Sequence, residues 1–351
     1  MLEPPSLSLL QRVRQGDAGA CVEIGRACAA QREYSTALQW FTRGARAGHT
    51  DALAELGFLH TRALIDAPDP AFGVQQLKLA ATAGQAEAAL QLAKLMLEGR
   101  WLALDLPQLK AWIRMALYAR VVELRHVALM LGTRTAAATM AALDAWFAPG
   151  PLPATVLRQQ PLLVVIDAVL PPAACRWLCD LAQPRMRPAL VYEPQSGARV
   201  QDPTRSNSAA YLEVQLLATL LIEWRLLACA DPRQMLARAE PVSVLHYAIG
   251  QEYKAHRDYL NPVSQPDQFP PAGPGQRVRT VFAYLNDVEG GGQTEFPTLG
   301  HTITPRTGRV VMFDNLDAAG RPDPSTLHAS LAVTAGEKWL ATLWLREDWA
   351  R

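Results

Sequence analysis

Three prolines within five residues, at positions 149, 151 and 153, divide the 351-residue chain into two parts with different patterns. Proline lacks a backbone N–H and clashes with the preceding turn, so no helix continues through this segment. Before it, Ala and Leu recur at three- and four-residue spacing, which predicts successive helices. After it, and above all from Pro241, short β-type runs alternate with Gly- and Pro-rich turns, as in sandwiches and jelly rolls. We predict an α+β protein with helical repeats over residues 1–147, a linker over 148–160 and a β-rich domain over 161–351.

The helical part contains an internal repeat of 36 residues. Ala47-Gly48 recurs as Ala83-Gly84, and one further shift puts Arg120 where the glycine stood, so the third repeat is looser. Periods of this length are typical of stacked helix pairs, which bury their apolar faces only against their neighbours. The pattern resembles the Sel-like variant of the tetratricopeptide repeats. The resemblance implies an α-solenoid that binds a protein or peptide or that dimerises, and a packing platform without a ligand is the alternative.

Charge and cysteine content narrow the class of protein. The chain carries 34 Lys+Arg and 33 Asp+Glu, a balance that gives no sign of a surface for nucleic acid or anionic membrane, although a neutral sum can conceal a local patch. No apolar run approaches the roughly 18 residues that span a bilayer. The five cysteines form no short disulfide framework, and the N-terminus lacks the features of a signal peptide. We therefore predict a reduced, cytoplasmic protein that binds neither nucleic acid nor membrane.

A histidine and an aspartate two residues apart, His256 and Asp258, are the first candidates for chemistry. On an extended strand, residues i and i+2 project to the same face. A second histidine would complete the two-His, one-carboxylate set that suits Fe(II) and leaves coordination positions open. His-x-Asp alone is common, and His328 is the candidate for the third ligand. His246 and His301 are the rivals, but the first lacks a partner at i+2 and the second follows a glycine in a predicted turn.

Lys338 is the candidate for binding an anion. It begins a strand-like run in which Lys338, Leu340, Thr342 and Trp344 share one face. An inward ammonium group without a partner is costly to bury, so its position indicates that an anion arrives to pair with it. The chain has 29 Arg and only five Lys, which favours a role for a compact point charge here.

Several short motifs follow one another between Leu162 and Glu347. They are Tyr247-x-x-Gly250-Gln251-x-Tyr253-x-x-His256-x-Asp258, Gln276-Arg277-Val278-x-Thr280, Tyr284-Leu285-Asn286-Asp287-Val288, Gly291-Gly292-Gln293-Thr294-x-Phe296-Pro297, Pro305-x-x-Gly308, Phe313, His328 and Gly336-Glu337-Lys338-Trp339. In this order they resemble the prolyl 4-hydroxylase branch of the Fe(II)/2-oxoglutarate oxygenases, although that family often has Glu at the position of Gln293. The resemblance implies a double-stranded β-helix, a jelly roll with the metal at its mouth.

The resemblance also implies cofactors and roles. The chemistry would be hydroxylation of an unactivated C–H bond, coupled to decarboxylation of 2-oxoglutarate to succinate and CO2. Fe(II), 2-oxoglutarate and O2 would be required, and a need for ascorbate stays open. The implied roles are metal binding for His256, Asp258 and His328, 2-oxoglutarate binding for Lys338, Thr294 and Tyr247, and contact with the target residue for Tyr253, Arg277 and Trp344.

Three hypotheses about function stay open at this point. The leading one is a hydroxylase that acts on a prolyl residue of a protein or peptide recruited by the helical repeats. The second is a hydroxylase of a small molecule, such as a free or carrier-bound amino acid, in which the helical part serves dimerisation or covers the pocket. The third is a non-catalytic interaction protein, and the complete set of His256, Asp258, His328 and Lys338 argues against it.

Overall fold

The computed structural model describes residues 7–148, 152–192, 199–212, 216–230, 236–263, 265, 268, 269 and 275–347. The chain forms two compact units, Met1–Leu124 and Arg125–Arg351. Residues 149–151 of the predicted proline-rich break lie outside the described residues, as do residues 1–6. None of the helices in the described ranges combines the length and the apolar character that crossing a bilayer requires.

The first unit consists of helices that repeat at a constant interval. Helices α3, α5 and α7 begin at residues 34, 70 and 106, so each begins 36 residues after the one before it, and the predicted period is confirmed. The helices of this unit are α1 (Leu7–Arg14), α2 (Ala18–Ala30), α3 (Tyr34–Arg46), α4 (Thr50–Thr61), α5 (Pro70–Thr82), α6 (Ala86–Glu98) and α7 (Leu106–Tyr118).

Small residues at repeated positions set the turns and the close approaches between these helices. Gly48 and Gly84 follow α3 and α5 with φ of 79° and 90°, the left-handed conformation that glycine adopts without strain. Arg120 occupies the equivalent position after α7 and has a φ of 59°. The third repeat thus keeps the left-handed turn although it lacks the glycine. At Gly57, a Cβ atom would lie 2.7 Å from the carbonyl oxygen of Gly73, so the contact between α4 and α5 depends on glycine.

The second unit begins with two helices that we predicted to belong to the helical repeats of residues 1–147. Its helices are α8 (Leu124–Leu131), α9 (Ala136–Phe147), α10 (Pro172–Ala182) and α11 (Leu217–Ala230). Trp146 on α9 donates its indole N–H to the carbonyl of Leu221, and Arg225 donates to the carbonyl of Trp146. The Phe147 ring packs edge-on against Trp224 with 4.9 Å between ring centroids. Helix α9 therefore packs on α11, and the domain boundaries at residues 147 and 160 stay a prediction.

Short strands form the rest of the second unit. They are β1 (Ala154–Gln159), β2 (Leu162–Ile166), β3 (Arg187–Pro188), β4 (Val191–Tyr192), β5 (Arg199–Val200), β6 (Ser208–Tyr211), β7 (Ser243–Tyr247), β8 (Tyr253–His256), β9 (Arg277–Tyr284), β10 (Gly290–Gly291), β11 (Thr294–Phe296), β12 (His301–Ile303), β13 (Val310–Asp314), β14 (His328–Ser330), β15 (Val333–Ala335) and β16 (Lys338–Arg346). The first of them lies within the predicted linker.

Two antiparallel sheets enclose the core of this unit. The larger sheet has the order β1-β2-β13-β9-β16-β7-β6-β3, and the smaller has the order β12-β11-β14-β8. Phe282 and Phe313 from the larger sheet pack with Phe296 and Ile303 from the smaller one, and all four are buried. This arrangement confirms the predicted jelly roll. It also puts β8 and β14, which carry the two histidines of interest, side by side at one edge of the smaller sheet.

Candidate metal centre

His256, Asp258 and His328 lie together, as the sequence predicted. Each offers one ligand atom, and these three atoms lie within 4.8 Å of one another. The Nε2 atom of His256 is 3.6 Å from Oδ1 of Asp258, and Nε2 of His328 is 3.9 Å from Oδ2 of Asp258. Ligands about 2.1 Å from a metal and at right angles to each other lie about 3 Å apart, so small side-chain adjustments would suffice to bind an ion.

The register of two strands brings the two histidines together. His328 on β14 and His256 on β8 are direct partners across the antiparallel ladder. Side chains of directly opposed residues project to the same face of a sheet. The centroids of the two imidazole rings are therefore only 4.3 Å apart, although the residues are 72 positions apart in the chain.

Asp258 differs from its predicted place, because β8 ends at His256 and Asp258 lies just beyond the strand. Its Oδ2 atom is held from the larger sheet by the Thr280 hydroxyl at 2.8 Å and by the Trp344 indole N–H at 3.0 Å. Asn315 in turn donates to the Thr280 hydroxyl at 3.0 Å. These hydrogen bonds, rather than a strand ladder, fix the carboxylate, and its Oδ1 accepts no hydrogen bond from the described residues.

Both imidazoles are oriented to present Nε2. The Nδ1 atoms of His256 and His328 lie 2.9 Å and 3.1 Å from the carbonyl oxygens of Lys254 and Thr326. A carbonyl can only accept, so Nδ1 carries the proton and Nε2 keeps its lone pair for a metal. Burial and the neighbouring His328 lower the pKa of His256 far below its usual value, so that this ring is neutral at pH 7. Burial opposes ionisation of Asp258, but His328, His256 and Arg277 together hold its pKa below the usual range.

Lys338 is buried at the inner end of the same cavity. Its ammonium group donates to the Ser330 hydroxyl at 2.7 Å and lies over the rings of Tyr247 and Tyr284, 5.1 Å and 5.4 Å from their centroids. Burial lowers the pKa of Lys338 to about 7. The depressed pKa is the physical sign of a cation that lacks a carboxylate partner, and an arriving anion would supply one.

The other two residues predicted to bind the anion, Tyr247 and Thr294, line the same cavity and neighbour Ser330. Tyr247 is the cross-strand partner of Lys338, and its hydroxyl is hydrogen-bonded to Ser330. Burial raises the pKa of Tyr247 to about 12, so it stays a neutral hydroxyl. Thr294 accepts a hydrogen bond from the Tyr284 hydroxyl at 2.7 Å, and it is the cross-strand partner of Ser330.

The three residues predicted to contact a target residue line the same cavity. The Tyr253 ring stacks on His256 with 3.5 Å between centroids. The Arg277 guanidinium lies 3.9 Å from the centroid of the Trp344 ring and makes a bidentate ion pair with Glu240 at 2.7 Å and 2.8 Å. Trp344 therefore has a second contact that the sequence did not suggest, its hydrogen bond to Asp258.

The rival ligands lie outside the metal group of the described residues. His246 lies 2.8 Å from a carboxylate oxygen of Glu337 and packs on Trp339. His301 belongs to β12 and is not among the grouped metal donors of the described residues. The acidic residues near the end of β13 also have partners, because Asp314 pairs with Arg279.

The cavity that joins these groups has a volume of about 950 Å³. The face of β16 that the sequence predicted to point inward, Lys338, Leu340, Thr342 and Trp344, lines it as expected. Thr280, Tyr284 and Ser330 had no predicted role, although Thr280 and Tyr284 stand in the motifs that carry the resemblance. The first two alternate on one face of β9 and could have been found from that period, whereas Ser330 becomes visible only through the pairing of β14 with β11.

Comparisons with known proteins agree with this geometry. The 2OG-Fe(II) oxygenase superfamily matches residues 242–346. Probable prolyl 4-hydroxylase 10 of Arabidopsis thaliana is 31% identical over 212 residues, which cover 54% of this chain and 71% of that protein. Prolyl 4-hydroxylase subunit alpha-1 of Rattus norvegicus is 31% identical over 191 residues, which cover 54% of this chain and 35% of that protein. The chain thus spans about a third of the length of the alpha-1 subunits it matches.

Solved structures similar to the chain include a prolyl hydroxylase and a Sel1 repeat protein. The viral collagen prolyl hydroxylase vCPH of Paramecium Bursaria Chlorella virus-1, in its 2OG complex, is 25% identical, with 52% of this chain and 94% of that chain covered and a TM-score of 0.40. A Sel1 repeat protein from Oxalobacter formigenes is also 25% identical, with 35% of this chain and 51% of that chain covered and a TM-score of 0.32.

Proposed function

The chain belongs to the prolyl 4-hydroxylase family of the 2OG-Fe(II) oxygenases, and from this premise we propose that it hydroxylates a prolyl residue of a protein or peptide. Its cofactor is Fe(II), and 2-oxoglutarate and O2 are its co-substrates. The bound iron supplies the chemistry that couples decarboxylation of 2-oxoglutarate, to succinate and CO2, to hydroxylation of a C–H bond.

One observation carries the proposal, namely the pairing of His256 with His328 across two strands beside a carboxylate with one free oxygen. In the proposed assignment Nε2 of each histidine and Oδ1 of Asp258 hold the iron. Two neutral imidazoles and one carboxylate suit Fe(II) and leave coordination positions for the co-substrates. The donor set therefore fits the metal that the family name specifies.

In the same assignment Lys338 binds the distal carboxylate of 2-oxoglutarate. Its ammonium group is buried, has a lowered pKa and donates to Ser330, so a carboxylate at this point would restore its charge and satisfy its remaining donors. Tyr247 and Tyr284 stay protonated, because burial raises the pKa of both hydroxyls, and Thr294 lies beside them. Lys338 and the iron then hold opposite ends of one small dianion.

The target residue would lie between Tyr253, Arg277 and Trp344 at the outer side of the metal centre. The aromatic rings of Tyr253 and Trp344 offer flat apolar walls that suit a pyrrolidine ring. Arg277 is fixed by Glu240 and can donate to a peptide carbonyl without leaving its place. In this proposal the helical repeats recruit the polypeptide, and the cytoplasmic location and the oligomeric state stay predictions.

Succinate release and mass spectrometry test the proposal together. With Fe(II), 2-oxoglutarate and O2, proline-containing peptides should gain the mass of one oxygen atom on proline and release succinate in equal amount. His328→Ala should remove both signals, whereas His301→Ala, a matched change outside the metal group, should keep them. Hydroxylation of a free amino acid but of no peptide would instead support the small-molecule alternative, and no succinate under any condition would contradict an enzyme.

A further inference from the structure

Four arginines line the cavity around the metal centre without a carboxylate partner among the described residues. They come from several elements, namely the end of the 3-10 helix Gln183–Arg185, strand β3, the segment before β6 and the position after β8. Within the described part of the chain, their side chains donate only to backbone carbonyls and one side-chain amide oxygen: Arg185 to Leu181, Arg187 to Met186, Arg205 to Leu190 and Asn207, and Arg257 to Pro324.

The acidic residues in the described lining do not neutralise these four. Only Asp258 and Glu240 carry carboxylates there, and Asp258 belongs to the metal group. Glu240 is shared by Arg277 and Arg346, which donate to it at distances of 2.7 to 2.9 Å. When Fe(II) and 2-oxoglutarate are bound, their opposite charges cancel, as do those of Lys338 and Asp258. The four arginines therefore keep their full charge in the loaded site.

The positive charge lies along the lining of the cavity that holds the metal centre and is not a property of the whole chain. Net charge is only +1 over 351 residues. Arg187 lies on the edge strand of the larger sheet, whereas Arg257 lies between His256 and Asp258, at the end of a strand of the smaller sheet. The Arg205 guanidinium lies over the Tyr253 ring, 4.8 Å from its centroid. A chain that presents one residue to the metal would thus meet arginines from both sheets.

We propose that the substrate is an acidic peptide, with Asp or Glu side chains near the target proline that pair with Arg185, Arg187, Arg205 and Arg257. This inference rests on the proposed function and adds that the substrate is acidic around the target proline. Guanidinium groups bind carboxylates through paired N–H donors, and unneutralised arginines around a cleft steer anionic partners toward it. A nucleic acid is the less suitable occupant, because its recognition requires a basic face that extends along the protein, whereas these four arginines line a single cavity.

The test compares three peptides of equal length with one central proline and flanking residues that are all Glu, all Gln or all Lys. Hydroxylation of each is followed by mass spectrometry over a range of concentrations with the full chain, Fe(II) and 2-oxoglutarate. We expect the lowest KM for the Glu peptide and the highest for the Lys peptide. The difference should shrink as salt is raised, because exposed charge pairs are screened.

A double variant and a matched control test whether these arginines cause the preference for the Glu peptide. In Arg187→Gln/Arg257→Gln, the KM of the Glu peptide should rise by about twofold to twentyfold, as the loss of two exposed ion pairs predicts, and that of the Gln peptide should change little. The control is Arg158→Gln/Arg306→Gln, which removes the same charge from two exposed arginines that do not line the cavity. The control should keep the preference for the Glu peptide.

The outcomes separate this inference from the proposed function. Equal KM values for the Glu and Gln peptides, or an unchanged preference in Arg187→Gln/Arg257→Gln, overturn the inference and leave a prolyl hydroxylase. Hydroxylation of no peptide of any charge, with turnover of a free amino acid, contradicts the proposed function itself. Stronger inhibition of Glu-peptide turnover by an oligothymidylate than by a Glu peptide of equal length without proline, lost in the double variant, would assign the arginines to nucleic acid instead.

Discussion

Trp344 and Asp258 are joined by a hydrogen bond of 3.0 Å from the indole N–H to carboxylate oxygen Oδ2. Thr280, the cross-strand partner of Trp344, donates its hydroxyl to the same oxygen at 2.8 Å. One pair of neighbouring residues in the larger sheet therefore holds the acidic member of a metal group whose histidines lie in the smaller sheet. Because Oδ2 is occupied twice, the carboxylate has Oδ1 left for a metal.

Trp344→Phe should weaken Fe(II) binding. The substitution keeps an aromatic ring but removes the N–H that orients Asp258, and loss of such a bond typically costs about 10- to 100-fold in metal affinity. Anaerobic Fe(II) titration in the presence of 2-oxoglutarate measures the affinity. Trp339→Phe, on the opposite face of the same strand, is the control and should bind Fe(II) as the unchanged protein does. Equal affinities for all three proteins would show that the indole N–H does not support the site.

Binding of 2-oxoglutarate should weaken as pH rises above 7. Burial lowers the pKa of Lys338 to about 7, and only the protonated amine can pair with a carboxylate. The dissociation constant of 2-oxoglutarate should therefore depend little on pH near pH 6. It should increase about tenfold per pH unit well above the pKa of Lys338. Titration of 2-oxoglutarate into the anaerobic Fe(II) protein between pH 6 and pH 9 measures this. The pH dependence should disappear in Lys338→Met, which should also bind 2-oxoglutarate far more weakly at pH 6.

Glu240→Gln should lower the free energy of unfolding by about 3 kcal/mol. The change keeps the side-chain shape but removes the charge with which Glu240 pairs with Arg277 and Arg346, and breaking a buried ion pair costs about 3–5 kcal/mol. Urea unfolding followed by tryptophan fluorescence measures the loss. Glu337→Gln makes the same change in a carboxylate that is 57% exposed beside His246, and it should cost less than about 1 kcal/mol. Similar losses of unfolding free energy in the two variants would show that the ion pairs of Glu240 stabilise the fold no more than an exposed pair does.

The local patterns of the sequence were sufficient for the repeats and for the inward face of β16. The period of 36 residues can be recognised within the sequence, because each helix pair repeats the turn marked by Gly48 and Gly84. The inward face from Lys338 to Trp344 follows from the alternation of side chains along a single strand. The three metal candidates were also found from the sequence. Their meeting depends on the register between β14 and β8, which no local pattern specifies.

Contacts between distant strands account for what the sequence did not reveal. Thr280 and Ser330 are ordinary polar residues until pairing places them beside Asp258 and Lys338. The balanced charge concealed the arginines around the cavity, because those arginines come from four separate segments and are offset by acidic residues elsewhere. The break at the prolines marks the end of α9, but that helix packs on α11, so a helix end does not by itself indicate where packing changes.

A chain that begins at residue 125 should be more stable than one that begins at residue 148. The shorter chain lacks Trp146 and Phe147, which are buried, and each buried aromatic contributes about 1.5–3 kcal/mol. It also loses the hydrogen bonds between Trp146, Leu221 and Arg225. Urea unfolding of the two chains makes the comparison. Equal unfolding midpoints would support the predicted boundary at residue 147.

The most direct test of the metal centre is the visible charge-transfer band that forms when Fe(II) and 2-oxoglutarate are added without oxygen. We expect the band in the unchanged protein and its loss in His256→Ala. The substitution removes the imidazole of His256, which lies opposite His328 and is one of the three proposed ligands. His246→Ala removes an imidazole from the neighbouring sheet and should keep the band. A band that survives in His256→Ala, or that is lost in His246→Ala, would contradict the proposed ligands.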